Sequence, residues 1–235
     1  MSSISITSSL YKTEKFLSDW QISLYNFAKE ADILGLDFEI NAIANEPSVA
    51  ELEILNKLAQ ETWFNLYVVS RESIYASWNR GVAVANSDVC TSWNVDDSRN
   101  PQSILDGLNK IENGAEMVYF PFVYKRYINF FGIDVLIKKR LITPPAFERE
   151  KFIKEMHSGP FYMFTKALYK KVGPYDESFR IAGDFDWCVR AAKVTDLVKS
   201  DVVAGVFEKR EGTLSGGKNP LQEQENYRIE NKSHK

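Results

Sequence analysis

Two hydrophobic periods alternate along the first half of the chain. Short apolar runs, "ISITSSLY" (4–11), "FEINAIA" (38–44), "NLYVVS" (65–70), "DVCTSW" (88–93) and "MVYFPFVY" (117–124), have the length and β-branched content of strands. Between them the apolar positions recur at helical spacing. Thr13 precedes a helix carrying Phe16, Leu17, Trp20, Leu24, Phe27, Ala28 and Ala31. Ser48 with Glu51 forms a capping box ahead of Leu52, Leu55 and Leu58. Residues 74–85 form the next helix, and Asn100 with Pro101 opens another.

This βαβαβαβαβ order predicts an α/β fold of Rossmann type, a mostly parallel sheet with helices on both faces, as a single domain over 1–216. After Tyr124 the rhythm breaks. Residues 125–152 are basic, aromatic and Pro-containing, and read as an insertion. Helical patterns return at 165–171 and 184–193, and "DVVAGVF" (201–207) reads as a late strand. From Gly216 onward the chain is polar, so 217–235 is expected to be a loose tail except for a short helix around 222–229.

Composition narrows the partners. A net charge of −3 in 235 residues supplies no positive field for nucleic acid. Cys90 and Cys188 sit in apolar runs, which suits buried free thiols. No apolar stretch reaches the roughly 20 residues of a membrane span, and the first residues lack the regions of a secretion signal, so a cytoplasmic location is expected.

Candidate chemistry sits at element boundaries. Open α/β sheets bind ligands at the carboxyl ends of their strands, and Asp96 and Asp97 in "NVDDSRNP" lie at such an end. The pair suits a hard cation, but taken alone it suits better the cap of the following helix. A second acidic pair, Asp184 and Asp186, opens a helix after the turn-rich "GPYDES", where capping again competes with a general base. With only His157 and His234 in the chain, a multi-His zinc site is excluded.

Two longer segments carry a family resemblance. "ESIYASWNRGVAVANSDVCTSWNVDDSRNP" (72–101) resembles the donor-side segment of family 2-type glycosyltransferases with the GT-A fold, and "GPFYMFTKALYKKVGPYDESFRIAGDFDWCVRAA" (159–192) resembles their acceptor-side segment. The resemblance implies an inverting enzyme that moves a sugar from a nucleotide-diphosphate donor to a saccharide or glycolipid acceptor hydroxyl, in polysaccharide or glycoconjugate synthesis. It implies Mn²⁺ or Mg²⁺ held principally by Asp96, with Asp97 beside it and Asn94 in the first motif position. Asp184 takes the general-base position. Ser9, Leu10 and Tyr11 border the nucleotide, and Asn45 and Asn79 are further donor contacts.

The chain also departs from the pattern. Ala44 and Asn45 stand where the family commonly has two acids, Asn94 replaces the first motif Asp, and Arg210 stands near a common His position. These departures keep a non-catalytic, nucleotide- or sugar-binding relative as the alternative. A sugar-nucleotide pyrophosphorylase is disfavoured, because "SSLYKTEK" is no Gly-rich phosphate loop. The basic and aromatic stretch 124–140 reads as a solvated flap, with peripheral contact at the inner face of a membrane as its second reading.

Overall fold

A computed structural model of the chain describes residues 3–210 and 219–232. The strands and helices follow the sequence pattern closely through the first half: β1 (Ser3–Leu10), α1 (Glu14–Leu34), β2 (Asp37–Asn45), α2 (Val49–Leu58), β3 (Phe64–Val69), α3 (Ile74–Val84) and β4 (Val89–Ser92). Then come β5 (Ser98–Arg99), α4 (Pro101–Glu112), β6 (Met117–Tyr119), β7 (Phe122–Phe130) and β8 (Ile133–Ile142). The chain ends with α5 (Arg149–Phe152), β9 (Tyr162–Thr165), α6 (Lys166–Val172), α7 (Gly183–Val194), β10 (Val198–Lys199), β11 (Gly205–Lys209) and α8 (Pro220–Lys232).

Seven strands form the main sheet in the order β10-β6-β9-β4-β1-β2-β3. All neighbours are parallel except β9, which runs antiparallel to both β4 and β6. The order turns back at β1, since β2 lies on one side and β4 on the other. Such a reversal opens a crevice at the strands' carboxyl ends. β1 is covered on both faces, and α3 comes so close that a Cβ on Gly81 would stand 2.1 Å from Thr7 Oγ1. Only glycine fits there.

Two apolar clusters make up the core. One joins α1 (Leu17, Trp20, Leu24, Phe27) to Ile4, Ile6 and Trp93, and the other joins Tyr75 and Trp78 of α3 to Tyr162, Phe164 and Trp187. Cys90 and Cys188 are buried free thiols, both pushed up to about 12 by desolvation. The caps differ in detail from the sequence pattern. The Ser48–Glu51 capping box forms as expected, but Thr13 makes no side-chain cap on α1. Its N–H and hydroxyl instead donate to Glu51 Oε1 at 2.6 and 2.8 Å, tying α1 to α2.

Three expectations are revised in the second half. The fifth predicted strand is two strands: β6 stays in the main sheet and β7 enters a second, four-stranded sheet of order β5-β11-β7-β8. Pro121, which has no N–H to give to a ladder, stands at the break. The insertion is the β7–β8 hairpin, followed by a loop and the short α5. Finally, the short helix expected around 222–229 forms as α8, but it is docked rather than part of a loose tail, with Ile229 1% exposed within the second cluster.

Candidate active site

The reversal at β1 gathers the expected donor residues at one sheet edge, though not all in one role. Leu10 is buried in the first core cluster, so only its backbone can border a ligand. Ser9 is half-buried. Tyr11 is exposed, and the Arg71 guanidinium, just past β3, stacks 3.3 Å from its ring centroid. Arg71 carried no sequence signal, because only the parallel β1-β2-β3 order brings residue 71 to residue 11. The platform is cationic and planar, and suits a base or phosphate.

Asn45 and Asn79 are occupied by the protein itself. Asn45 is 1% exposed; it accepts from Glu72 N–H and donates to Ser77 Oγ and Ile43 O. Asn79 donates to Tyr175 O and Glu177 and accepts from Tyr175 N–H and Tyr169 OH, stapling α3 to the loop before α7. Both amides are spent on structure.

The two neighbouring acids after β4 divide their work. Trp93 donates its indole N–H to Asp97 O at 3.0 Å, and Asp97 N–H closes a turn onto Asn94 O at 3.1 Å. Asp97 Oδ1 accepts from Glu208 N–H at 3.0 Å, and Oδ2 faces the Asn94 amide at 3.4 Å. Burial first, then the Asp96 charge, push its carboxyl well above the usual range. Behind it lies Arg99, buried, bonded to Thr91 Oγ1 and Ser92 O, and lowered to about 10 by desolvation. Asp97 therefore locks the turn to β11. It is Asp96 that stays uncommitted: among the described residues no side chain donates to it. Its carboxyl is raised by burial, then by Glu208, against the pull of Arg210 and Lys15.

Glu208 and Arg210 reach this acid through β11, over 100 residues away in sequence. Glu208 pairs with Lys125 at 3.3 Å and with Arg210, which also holds Asp134 at 2.7 Å. The donor set fits a divalent cation in one way only. No cluster of three His, Cys, Asp or Glu spaced for a metal occurs among the described residues. A hard cation bound through one carboxylate, with a ligand's phosphates completing its shell, needs no such cluster.

On the acceptor side, Asp184 lies in the first turn of α7. Its Oδ1 accepts from Phe185 N–H at 2.9 Å and faces Tyr75 OH at 3.4 Å. Tyr75 reaches it because residue 183 is glycine; a Cβ there would stand 2.7 Å from the ring. Desolvation raises the Asp184 carboxyl to about 6, against the lowering effect of those donors. Asp186, by contrast, is buried in an ion pair with Arg190 at 2.8 Å, and Arg190 also binds Val172 O and Pro174 O. The two acids, two residues apart, thus separate into one held only by neutral donors and one fixed in an ion pair.

A residue that sequence reasoning missed stands behind Asp184. Glu225 of α8 is 7% exposed, and its carboxylate accepts the N–H groups of Arg180, Ile181 and Ala182 at 2.8, 2.9 and 2.8 Å. The docked helix therefore fixes the loop that delivers the candidate base.

No protein-family model matches the chain, and no curated protein matches it. Solved structures do. Residues 1–349 of S. aureus TarS in complex with UDP-GlcNAc superpose with a TM-score of 0.70 at 16% identity, covering 97% of this chain and 64% of that one. The same fragment in complex with UDP gives 0.69 at 16%, covering 98% and 65%. A longer TarS structure gives 0.66 at 16%, covering 88% of this chain and 36% of its own. The chain thus spans less than two thirds of the length of these structures. What it shares with them is the fold, a helix-flanked α/β sheet.

Proposed function

We propose that the chain is a glycosyltransferase that moves a sugar from a nucleoside-diphosphate donor to an acceptor hydroxyl with inversion, in glycoconjugate or polysaccharide synthesis. The carrying observation is that two carboxylates without a cationic partner among the described residues, Asp96 after β4 and Asp184 at the start of α7, each stand beside an acid already spent on structure. The shared fold supports the reading, and UDP-GlcNAc, which TarS binds, is the first donor to test.

In this reading Tyr11 and Arg71 receive the base and ribose. Asp96 would hold Mn²⁺ or Mg²⁺, which supplies positive charge to the departing diphosphate. Asp184 accepts the acceptor's hydroxyl proton while that oxygen bonds the anomeric carbon and the bond to the diphosphate breaks with its electron pair. A carboxyl raised to about 6 is ionised at neutral pH and still basic enough for the task. This reading keeps the cytoplasmic location expected from the sequence. No helix among the described residues is long and apolar enough to cross a membrane.

A second reading, a nucleotide- or sugar-binding relative without turnover, is favoured by the neutral Asn94 and the structurally spent Asn45. Thermal shift against UDP, GDP, TDP and CMP sugars, with and without Mn²⁺, tests the common part of both readings, since a ligand that binds only the folded form raises its melting temperature. A shift that requires Mn²⁺ is expected for at least one donor; none across the panel contradicts both. Nucleoside diphosphate release from the donor that binds then separates enzyme from binder.

A further inference from the structure

The β7–β8 hairpin forms the open edge of the smaller sheet, and every residue from Asn129 to Leu141 is exposed. Because directly paired residues share a face and neighbours alternate, the register sorts its side chains into two faces. One face carries Lys125, Tyr127 and Asp134, and these are bound to Glu208 and Arg210 beside Asp96. The opposite face has no such partners. At its far end lie Phe130 with Ile133 and Ile128 with Val135, and behind them Arg126 with Lys138 and Tyr124 with Arg140. β11 adds Lys209, paired with Arg126.

Apolar and cationic groups are therefore segregated along this face. Phe130 is 60% and Ile133 69% exposed. At the tip Phe131 is 90% exposed and held at φ 49, a conformation that costs a bulky residue energy and places its ring outward beside Phe130. Arg126, Lys138, Arg140 and Lys209 pair with no acid among the described residues, in a chain whose net charge is −3. Arg126 lies close enough to Lys209 to lower its ammonium, after desolvation. Phe130 and Arg126 are four residues apart, about 13 Å along a strand, so the apolar end and the cationic end of the face are separated, as in an interfacial element with its apolar part in the acyl boundary and its cations at the phosphates.

We propose that this hairpin is a membrane-interface anchor: Phe130, Phe131 and Ile133 enter the acyl boundary of an anionic bilayer while Arg126, Lys138, Arg140 and Lys209 bind lipid phosphates. A second copy pairing along β8 is the rival occupant. Lys138, Lys139 and Arg140 stand on that edge and would bring like charges together across a self-paired ladder. Free phosphate gives no role to the aromatic tip. The anchor is independent of the sugar-transfer reading.

Co-sedimentation of the full chain with vesicles of phosphatidylcholine alone, or with phosphatidylglycerol added, tests it. The chain is expected to sediment with the anionic vesicles only, and less as salt rises. Phe130→Ser with Phe131→Ser should weaken binding about tenfold or more, and Arg126→Gln with Lys138→Gln and Arg140→Gln should abolish the preference for phosphatidylglycerol. These positions lie outside both core clusters, and unchanged melting temperatures would verify that the variants fold. The proposal is overturned if the chain ignores anionic vesicles, if the variants bind as the parent does, or if light scattering shows a dimer that the β8 cation substitutions alter.

Discussion

Asp184 and Asp186 show how two identical side chains two positions apart acquire different work. Asp186 has a cation, and Asp184 has only dipoles. Asp184→Asn keeps the shape and cannot take a proton, so turnover should fall about 10²–10⁴-fold with donor affinity unchanged. Asp186→Asn breaks a buried ion pair and should lower the melting temperature more than the rate. The pH dependence follows from the sign of the shift. The folded Asp184 carboxyl is raised from 3.8 to about 6, so protonation favours the folded state: the contribution is fully present below about 3.8 and lost as pH rises through about 6. Denaturant titrations should therefore find Asp184→Asn more stable than the parent at pH 8, the gap closing towards pH 4, and activity should fall on an acid limb near 6.

The acids after β4 make a second residue-scale contrast. Asp97→Ala strips the acceptor from Glu208 N–H and should cost about 1–3 kcal/mol of stability. Asp96→Ala removes a desolvated carboxylate to which no side chain among the described residues donates and should cost little stability, while calorimetry should show Mn²⁺ and donor binding weakened together. The family resemblance makes Asp96 the principal metal carboxylate but assigns Asp97 no structural role. What separates them is β11, which arrives from residue 208 and which no local pattern near residue 96 announces.

At the scale of elements, the docking of α8 is the main addition to the sequence reading, which expected a short helix around 222–229 in a loose tail. Its composition is polar enough to look like solvated chain, because it docks through few residues, Glu225 and Ile229 chief among them. Glu225→Gln retains the fold of the side chain but removes a negative charge that raises the Asp184 carboxyl. The acid limb of the rate profile should then move to lower pH. A purely structural α8 would leave the limb in place and change only the melting temperature. The hairpin was hidden for another reason: a register shift between Arg126 and Tyr127 interrupts the two-residue alternation, so its segregated face has no clean period in the sequence.

Over the whole molecule, legibility follows sequence distance. Local periodicity places the strands and helices through α4 almost residue by residue, since each buries a repeating face against one sheet. The antiparallel β9, the second sheet and the α8 contact are set by partners far along the chain, and periodicity carries no information about them. The same holds for the site. Asp96 and Asp184 are visible as acids at element boundaries; Arg71, Glu208 and Glu225 are not.

The central claim is that Asp184 is the base of a sugar transfer, and turnover measured as nucleoside diphosphate release tests it most directly. With the donor found by thermal shift, a divalent cation and a panel of saccharide and glycolipid acceptors, the parent chain should release diphosphate in proportion to glycosylated product. Asp184→Asn, equally folded and with equal donor affinity, should run about 10²–10⁴-fold slower. Near-parental turnover by Asp184→Asn, or its loss in Asp186→Asn while that variant remains folded, would contradict the account.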